Sequence, residues 1–530
     1  MDFIDLRQRP TIVVQTDSGF APLDAQRDVR VELRPRGESV DVFIESPTSP
    51  VLRVLMRWGG TIPAADARIL GDHWERGYGD LEWRCIVPER VMPWYTLVHA
   101  GGLTHAYGVQ TQPAAMCWWR VDQAGITLCL DVRSGAAGVV LGKRQLHAAT
   151  LVARKGASGE SAFDAARAFC RMLCPNPRLP DHVVYGSNDW YYAYGVSSRK
   201  QILRDADIVV EHAPAHENRP YMVIDAGWQA RATLDPWDGC CGGPWTHGND
   251  RYGDMPSLAA EIRRKGARPG IWMRPLGAAP DTPASRLLNP ARATQPSARV
   301  PVLDPSIDEN LHHIERDVAR LRQWGFDLIK HDWSACDLLG RWGFEMGNEL
   351  TSPGWHLADR SKTNAEATLD LFRAIRRGAG DAVVIGCNTF SHLAAGIFEL
   401  QRTGDDTSGR DWEKTRKMGP NTLAFRMPQH EAFYACDADC VGLTNAVPWE
   451  LNAQWLDLLA NSGTPLFVST DPAALTPDRS AALKEAFARA AHPRAAGEPL
   501  DWLHTTCPQQ WNFPQSARKS YAWIAPEPQV

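Results

Sequence analysis

The chain has no run of apolar residues approaching the ~20 needed to span a bilayer. Its amino terminus, Met1-Asp2-Phe3-Ile4-Asp5-Leu6-Arg7, lacks the basic region and apolar core of a secretory leader. The 12 cysteines show no zinc-like spacing; Cys240-Cys241 and Cys436/Cys440 are merely the closest pairs. A cytoplasmic protein with reduced thiols and neither metal nor cofactor is therefore expected. With 57 Lys and Arg against 62 Asp and Glu, the net charge is -5, and the basic residues are scattered. That excludes a nucleic-acid footprint. Internal repeats, low-complexity linkers and a disorder-prone composition are also missing. Membrane and nucleic acid are not expected partners.

What is present is length and tryptophan. The 530 residues suffice for two or three domains with at least one large core. The 21 tryptophans serve cores well, and indole plates also stack on sugar faces. Residues 1–178 read as strands between turn signals: Thr11–Gln15, Val29–Leu33, Val40–Ile44, and the alternating sets Val54/Met56/Trp58, Trp83/Cys85/Val87 and Ile126/Leu128/Leu130. Trp118–Asp122 followed by Gly125 reads as a hairpin arm with its turn. Together they predict an antiparallel β-sandwich. A helix over Ser161–Leu173 and the prolines 175, 177 and 180 close this part.

From residue 179 to 475 strand and helix alternate. Strands are expected at Val183–Gly186, Tyr221–Asp225, Pro269–Met273, Phe326–Asp332, Ala382–Gly386, Gly396–Arg402, Ala432–Cys436 and Leu466–Ser469. Helices are expected at Ser198–His212, Leu258–Lys265, Ile307–Trp324 and Thr363–Arg377. About eight such units predict an α/β fold, a (β/α)8 TIM barrel behind the sandwich. A doubly wound nucleotide-binding sheet would need a Gly-rich phosphate turn after its first strand, and Gly186-Ser187-Asn188-Asp189-Trp190 is not one. Residues 476–530 read as a short helix and tail.

Catalytic groups of such barrels come from the C-terminal ends of the strands. Those ends carry Asp189 and Trp190, Asp225 and Trp228, Trp272 and Arg274, Lys330 and Asp332, Cys387 and Asn388, Arg402 with Asp405 and Asp406, and Asp437 with Asp439. No Ser/His/Asp order or metal-ligand helix accompanies them. On the fourth strand Lys330 and Asp332 share a face while His331 points the other way. An ammonium beside Asp332 would keep it anionic, as a nucleophile needs, and repulsion between Asp405 and Asp406 would raise one of them into a proton donor. Paired carboxylates on different strands suit glycosidic bond cleavage.

These motifs, in order over residues 183 to 471, resemble the retaining α-galactosidases of glycoside hydrolase clan D, especially the family 36-like group that also holds raffinose-synthase-like proteins. Gly186–Trp190 is similar to that family's first-strand Gly-Trp-Asn-Ser-Trp, and Ile224-Asp225-Ala226-Gly227-Trp228-Gln229 to Ile-Asp-Asp-Gly-Trp-Gln. Gly270-Ile271-Trp272-Met273-Arg274-Pro275 resembles Gly-Ile-Trp-x-Glu-Pro, and Asp437-Ala438-Asp439-Cys440 resembles Asp-Pro-Asp-Cys. The resemblance implies Asp332 of Lys330-His331-Asp332 as nucleophile and Asp406 of Arg402-Thr403-Gly404-Asp405-Asp406-Thr407 as acid/base. It implies sugar contacts from Lys330, Asp225 and Arg402, with Trp190 and Trp228 as apolar walls and Asp189, Trp272, Arg274, Cys387 and Asp405 beside them. Two positions depart from the pattern: Ala226 stands for an aspartate and Arg274 for a glutamate, which bears on the choice of sugar. The segment between Asp332 and Thr363, with Trp342, Glu345, Glu349 and Trp355, is expected to cap the site.

The expected function is a retaining, exo-acting α-glycosidase, α-galactosidase-like, acting on an oligosaccharide or α-glycoside. Alternatives are a transglycosylase of the same fold, in which a sugar hydroxyl replaces water, and a carbohydrate-binding protein without turnover. A metal-dependent sugar isomerase would need clustered His and acidic ligands at the strand ends, which are missing. Homo-oligomerisation is left open.

Overall fold

The computed structural model describes residues 1–234, 241–294 and 300–524. The amino-terminal part forms two six-stranded antiparallel sheets. From edge to edge, the first runs Gly19–Pro22, Thr11–Thr16, Val51–Gly59, Gly125–Asp131, Met116–Asp122, Met92–Pro93. The second runs Arg30–Arg36, Ser39–Glu45, Leu146–Arg154, Leu103–Val109, Tyr95–Ala100, Arg68–Gly71. Alternation places one face of the strand Ser39–Glu45 inside: Val40, Val42 and Ile44 are buried while their neighbours are not. The expected hairpin forms, with Asp122 opposite Gly125. The expected strand at Trp83–Val87 does not, and only Arg84 bridges Ile69. The Trp83 ring instead meets Trp502 of the carboxy-terminal segment at 5.4 Å, so packing against that segment, not strand pairing, explains the apolar spacing.

The barrel is built from parallel strands Tyr185–Asn188, Tyr221–Ile224, Arg268–Met273, Leu328–His331, Val383–Gly386, Leu400–Arg402 and Leu466–Thr470, plus a seventh in two pieces, Ala435–Asp437 and Cys440–Leu443. The first piece pairs with the sixth strand, the second with the eighth, and the eighth with the first, which closes the ring. The break falls at Ala438-Asp439, where Asp439 takes a left-handed φ of 70°. The sixth strand begins at Leu400 rather than Gly396, because Gly396, with a φ of 81°, and the two residues after it stay in the turn that closes helix Ser391–Ala394, Ile397 N and Phe398 N both donating to Ala394 O. Helices Arg199–His212, Met255–Lys265, Asp308–Gln323 and Asn364–Ala379 lie between strands. The last starts in a capping box of Thr363 and Glu366, and Gly266 ends the second with a φ of 99°.

Sandwich and barrel meet along the loop after the sixth strand. Gly77 N donates to Thr403 O and Asp405 N donates to Gly77 O, both at 2.8 Å. Gly404 lets this loop pack against the barrel's own segment at Met418, since a Cβ there would lie 2.1 Å from Met418 O. Nearby, Asp72 of the sandwich accepts from Arg426 of the barrel at 2.8 Å, both side chains almost fully buried. The long segment after Asp332 also docks on the sandwich: Trp74 Nε1 donates to Gly347 O, and Arg53 and Arg133 pair with Glu349. After helix Pro477–Ala490 the chain forms a small three-stranded antiparallel sheet, a structured addition to the expected tail.

Removing one partner of a buried pair strands the other charge. Asp72→Ala is expected to lower stability by about 3–5 kcal/mol, read as a lower thermal midpoint, with Arg426→Met less damaging in the Asp72→Ala background than alone.

Candidate active site

Asp332 follows the fourth strand directly and is half-buried. Its Oδ1 accepts from Trp333 N at 2.7 Å and Asn388 N at 3.2 Å, and its Oδ2 from Trp272 Nε1 at 3.2 Å. Trp333 adopts a φ of 68°, which turns its N–H back onto the preceding carboxylate. A non-glycine residue held there is costly backbone, of the sort that aims a reactive group.

Lys330 does not pair with Asp332, contrary to the expectation from strand alternation. Its ammonium lies 2.7 Å from Asp225 Oδ2, at the end of the second strand. Burial alone would push the Lys330 amine down, but Asp225 outweighs it and holds the amine well above its usual range. Asp225 also accepts from Asn188 Nδ2 at 2.6 Å and from Ala226 N at 2.8 Å. Asp189 sits behind this pair, 2% exposed, accepting from Asp225 N at 2.8 Å. Desolvation, with the neighbouring Asp225 and Asp205 charges, pushes its carboxyl up to about 7. Asp189 thus supports Asp225 rather than facing the opening.

The tryptophans divide. Trp190 is half-buried at the rim. Trp228 is completely buried against Trp245 and Trp324, and its Nε1 donates to Trp272 O at 2.8 Å. It is a prop for Trp272, which in turn aims Asp332, and not an apolar wall. His331 points away as expected, packed 4.8 Å from Phe398, and burial pushes it down to about 3, so it is neutral.

The sixth-strand cluster is dense with charge. Arg402 is 1% exposed and reaches Asp439 Oδ2 at 2.7 Å, Asp406 Oδ1 at 3.3 Å and the Cys387 sulfur at 3.3 Å. Asp439 also accepts from Thr407 N and from the Tyr191 hydroxyl. Arg76, from the sandwich, lies 2.7 Å from Asp405 and 3.7 Å from Asp406. Desolvation raises the Asp406 carboxyl, but Arg402, Arg76 and Lys330 outweigh it and hold it well below the usual carboxylate range. The raised acid expected from repulsion within the aspartate pair is therefore not formed at Asp406, because the surrounding cations outweigh burial there. Cys387 is fully buried, and desolvation keeps it a thiol under the Arg402 and Arg76 guanidinium groups. Asp406 keeps 35% of its side chain exposed and Asp405 23%, so both remain open at the rim.

Arg274 forms a buried pair with Asp337, Nε to Oδ2 at 2.9 Å, and stacks 4.2 Å from the Trp333 ring. It is a neutralised structural cation under the loop that carries Asp332. Trp342 lies 5.0 Å from Trp333 and beside Arg76, so the segment after Asp332 borders the site and also anchors the sandwich. Sequence reading missed Glu75, Arg76 and Asp337. Glu75 accepts from Gly343 N at 3.0 Å, from Asn388 Nδ2 and from the Tyr78 hydroxyl, and burial pushes its carboxyl up. The available signal was a charged pair between Trp74 and Gly77 with no strand alternation. Among the described residues no cluster of His, Cys, Asp or Glu could hold a metal, and Cys240 of the Cys240-Cys241 pair lies outside them. No described helix is long and apolar enough to cross a membrane.

No protein-family model and no curated sequence matches the chain. Solved structures do. An α-galactosidase from Thermus thermophilus, in complex with p-nitrophenyl α-D-galactopyranoside, is 15% identical with a TM-score of 0.62, over 93% of this chain and 99% of its own. A variant of a family 36 α-galactosidase from Geobacillus stearothermophilus, in complex with raffinose, is 13% identical with a TM-score of 0.62, over 95% of this chain and 79% of its own. An α-galactosidase from Lactobacillus brevis is 11% identical with a TM-score of 0.59, over 91% and 74%. The chain has the sandwich-and-barrel fold of the family 36 α-galactosidases.

Proposed function

We propose that the protein is a family 36-like, retaining, exo-acting α-glycosidase of the α-galactosidase type. The observation that carries this reading is the joining of two rim carboxylates through the end of the fifth strand. Asn388 N donates to Asp332, while Arg402 spans the Cys387 sulfur and Asp406. One carboxylate is aimed by three donors, as a nucleophile needs; the other, held anionic by cations, fits the base of the second step and takes up a proton before serving as the acid of the first.

An Asp332 oxygen attacks the anomeric carbon as the bond to the leaving oxygen breaks, and that oxygen takes a proton from Asp406. Water then attacks the glycosyl carbon, gives its proton to Asp406, and the bond to Asp332 breaks. Lys330, Asp225 and Arg402 offer donors and an acceptor to sugar hydroxyls, and Trp190 offers an apolar edge. The alanine at 226 leaves one fewer acceptor beside Asp225. The substrate class is a terminal α-linked sugar of an oligosaccharide, in keeping with the stachyose and raffinose bound by the structural neighbours.

Asp332→Gly is expected to lower turnover of an aryl α-galactoside by at least ~10³-fold, with partial recovery on adding azide; normal turnover would exclude the mechanism. Across aryl α-glycosides differing by one hydroxyl at a time, the ratio of kcat/KM values identifies the sugar, and Ala226→Asp is expected to alter that ratio by about tenfold or more. Arg274→Glu would set a carboxylate against buried Asp337. It is expected to destabilise the fold by about 3–5 kcal/mol, seen as a lower thermal midpoint, without improving galactoside turnover.

A further inference from the structure

The sandwich inserts one guanidinium into the barrel rim, and the double-displacement scheme leaves it unused. Arg76 is 5% exposed, and among the described residues its ion pairs are with Asp405 and Asp406. We propose that Arg76 is a positioning residue that sets the aim and charge of Asp406, so that the proton-transfer half of the site is assembled across the sandwich and the barrel. The proposal rests on the glycosidase reading for its kinetic arm only.

The geometry gives Arg76 little freedom. The residue after it is locked to the Asp406 loop by the paired bonds of Gly77 with Thr403 and Asp405. The residue before it, Glu75, is held by Gly343 N and by Asn388, whose own N–H serves Asp332. The guanidinium lies 5.4 Å from the Trp342 ring and 3.8 Å from the Cys387 sulfur. Its buried Nε has no hydrogen-bond partner among the described residues. Its two Nη atoms are instead directed at Asp405, Asp406 and Cys387.

Asp406 faces Arg402 from its own strand end, Arg76 from the sandwich, Lys330 from the fourth strand and Lys414 from helix Trp412–Arg416, with Tyr191 and Asp405 also close. Burial favours its neutral form, and the four cations together outweigh burial. The sign follows. A carboxyl held low is an anion at neutral pH, and its protonated, proton-donating fraction grows only as pH falls. Removing one cation raises that carboxyl, so proton donation persists to higher pH.

The experiment compares the full-length protein with Arg76→Met and Arg76→Lys on two α-galactosides, one with a 2,4-dinitrophenolate leaving group that needs no proton and one with a methoxyphenolate that does. Arg76→Met is expected to move the basic limb of kcat/KM for the methoxyphenyl substrate up by at least about one pH unit. The dinitrophenyl substrate should change less than about twofold at matched pH, because its departure does not use Asp406. Arg76→Lys keeps the charge and should stay near the parent profile. Equal losses on both substrates with an unmoved limb would overturn the proposal and leave Arg76 a staple. If the parent cleaves neither substrate, the glycosidase reading is what fails. The proposal is then decided by the ¹³C titration of the Asp406 carboxyl, assigned by its loss in Asp406→Asn: an upward move in Arg76→Met upholds it, and no move overturns it.

Discussion

The structure depends on keeping buried cations paired at the rim of the barrel. Four of them, Lys330, Arg402, Arg274 and Arg76, are each at most 6% exposed. Each meets a carboxylate at close range: Asp225, Asp439, Asp337 and Asp405. Desolvating an unpaired charge would cost several kcal/mol, so each partner is fixed once its cation is buried. What this fixing leaves half-open is the pair Asp332 and Asp406. Pre-aimed charge inside a mostly buried frame is how electrostatic catalysis avoids reorganisation during reaction.

The same constraint joins the two halves of the chain. Asn388 donates its backbone N–H to Asp332 and its side-chain amide to Glu75 of the sandwich. Asp405 receives Arg76 and also donates its backbone N–H to Gly77. Contacts that dock the sandwich are thus one bond from both rim carboxylates, and the segment after Asp332 adds Trp342 and Gly343 to the junction. The sandwich is part of the site's wall rather than an appendage.

Much of this is legible in the sequence alone. Periodicity located the strands of the barrel to within a few residues, because buried parallel strands are short apolar runs and helices such as Asn364–Ala379 announce themselves by caps. Strand ends then nominated the rim residues. Side-chain partnership was not legible. Alternation put Lys330 and Asp332 on one face, but the ammonium reaches past the third strand to Asp225, because the second and fourth strands flank it in the barrel although these residues lie 105 positions apart in the chain. Trp228 looked like a sugar platform and proved to be packed under Trp272, as indoles at a strand end can face either layer. Glu75 and Arg76 lie more than three hundred residues from the groups they touch at Asn388 and Asp405, and no local pattern encodes such a contact. The two departures from the family pattern also read differently in space. Arg274 is neutralised by Asp337 and bears on the loop carrying Asp332, whereas Ala226 stands beside Asp225 at the end of the second strand.

The central claim is that Asp332 carries the sugar between the two steps. The most direct measurement is peptide mapping by mass spectrometry after incubation with an activated 5-fluoro-α-galactosyl fluoride, which slows release of a glycosyl-enzyme. The account predicts a single adduct of one fluorogalactosyl group on the peptide containing Asp332, lost in Asp332→Gly. Substrate turnover with no covalent adduct, or an adduct on a different carboxylate, would contradict it.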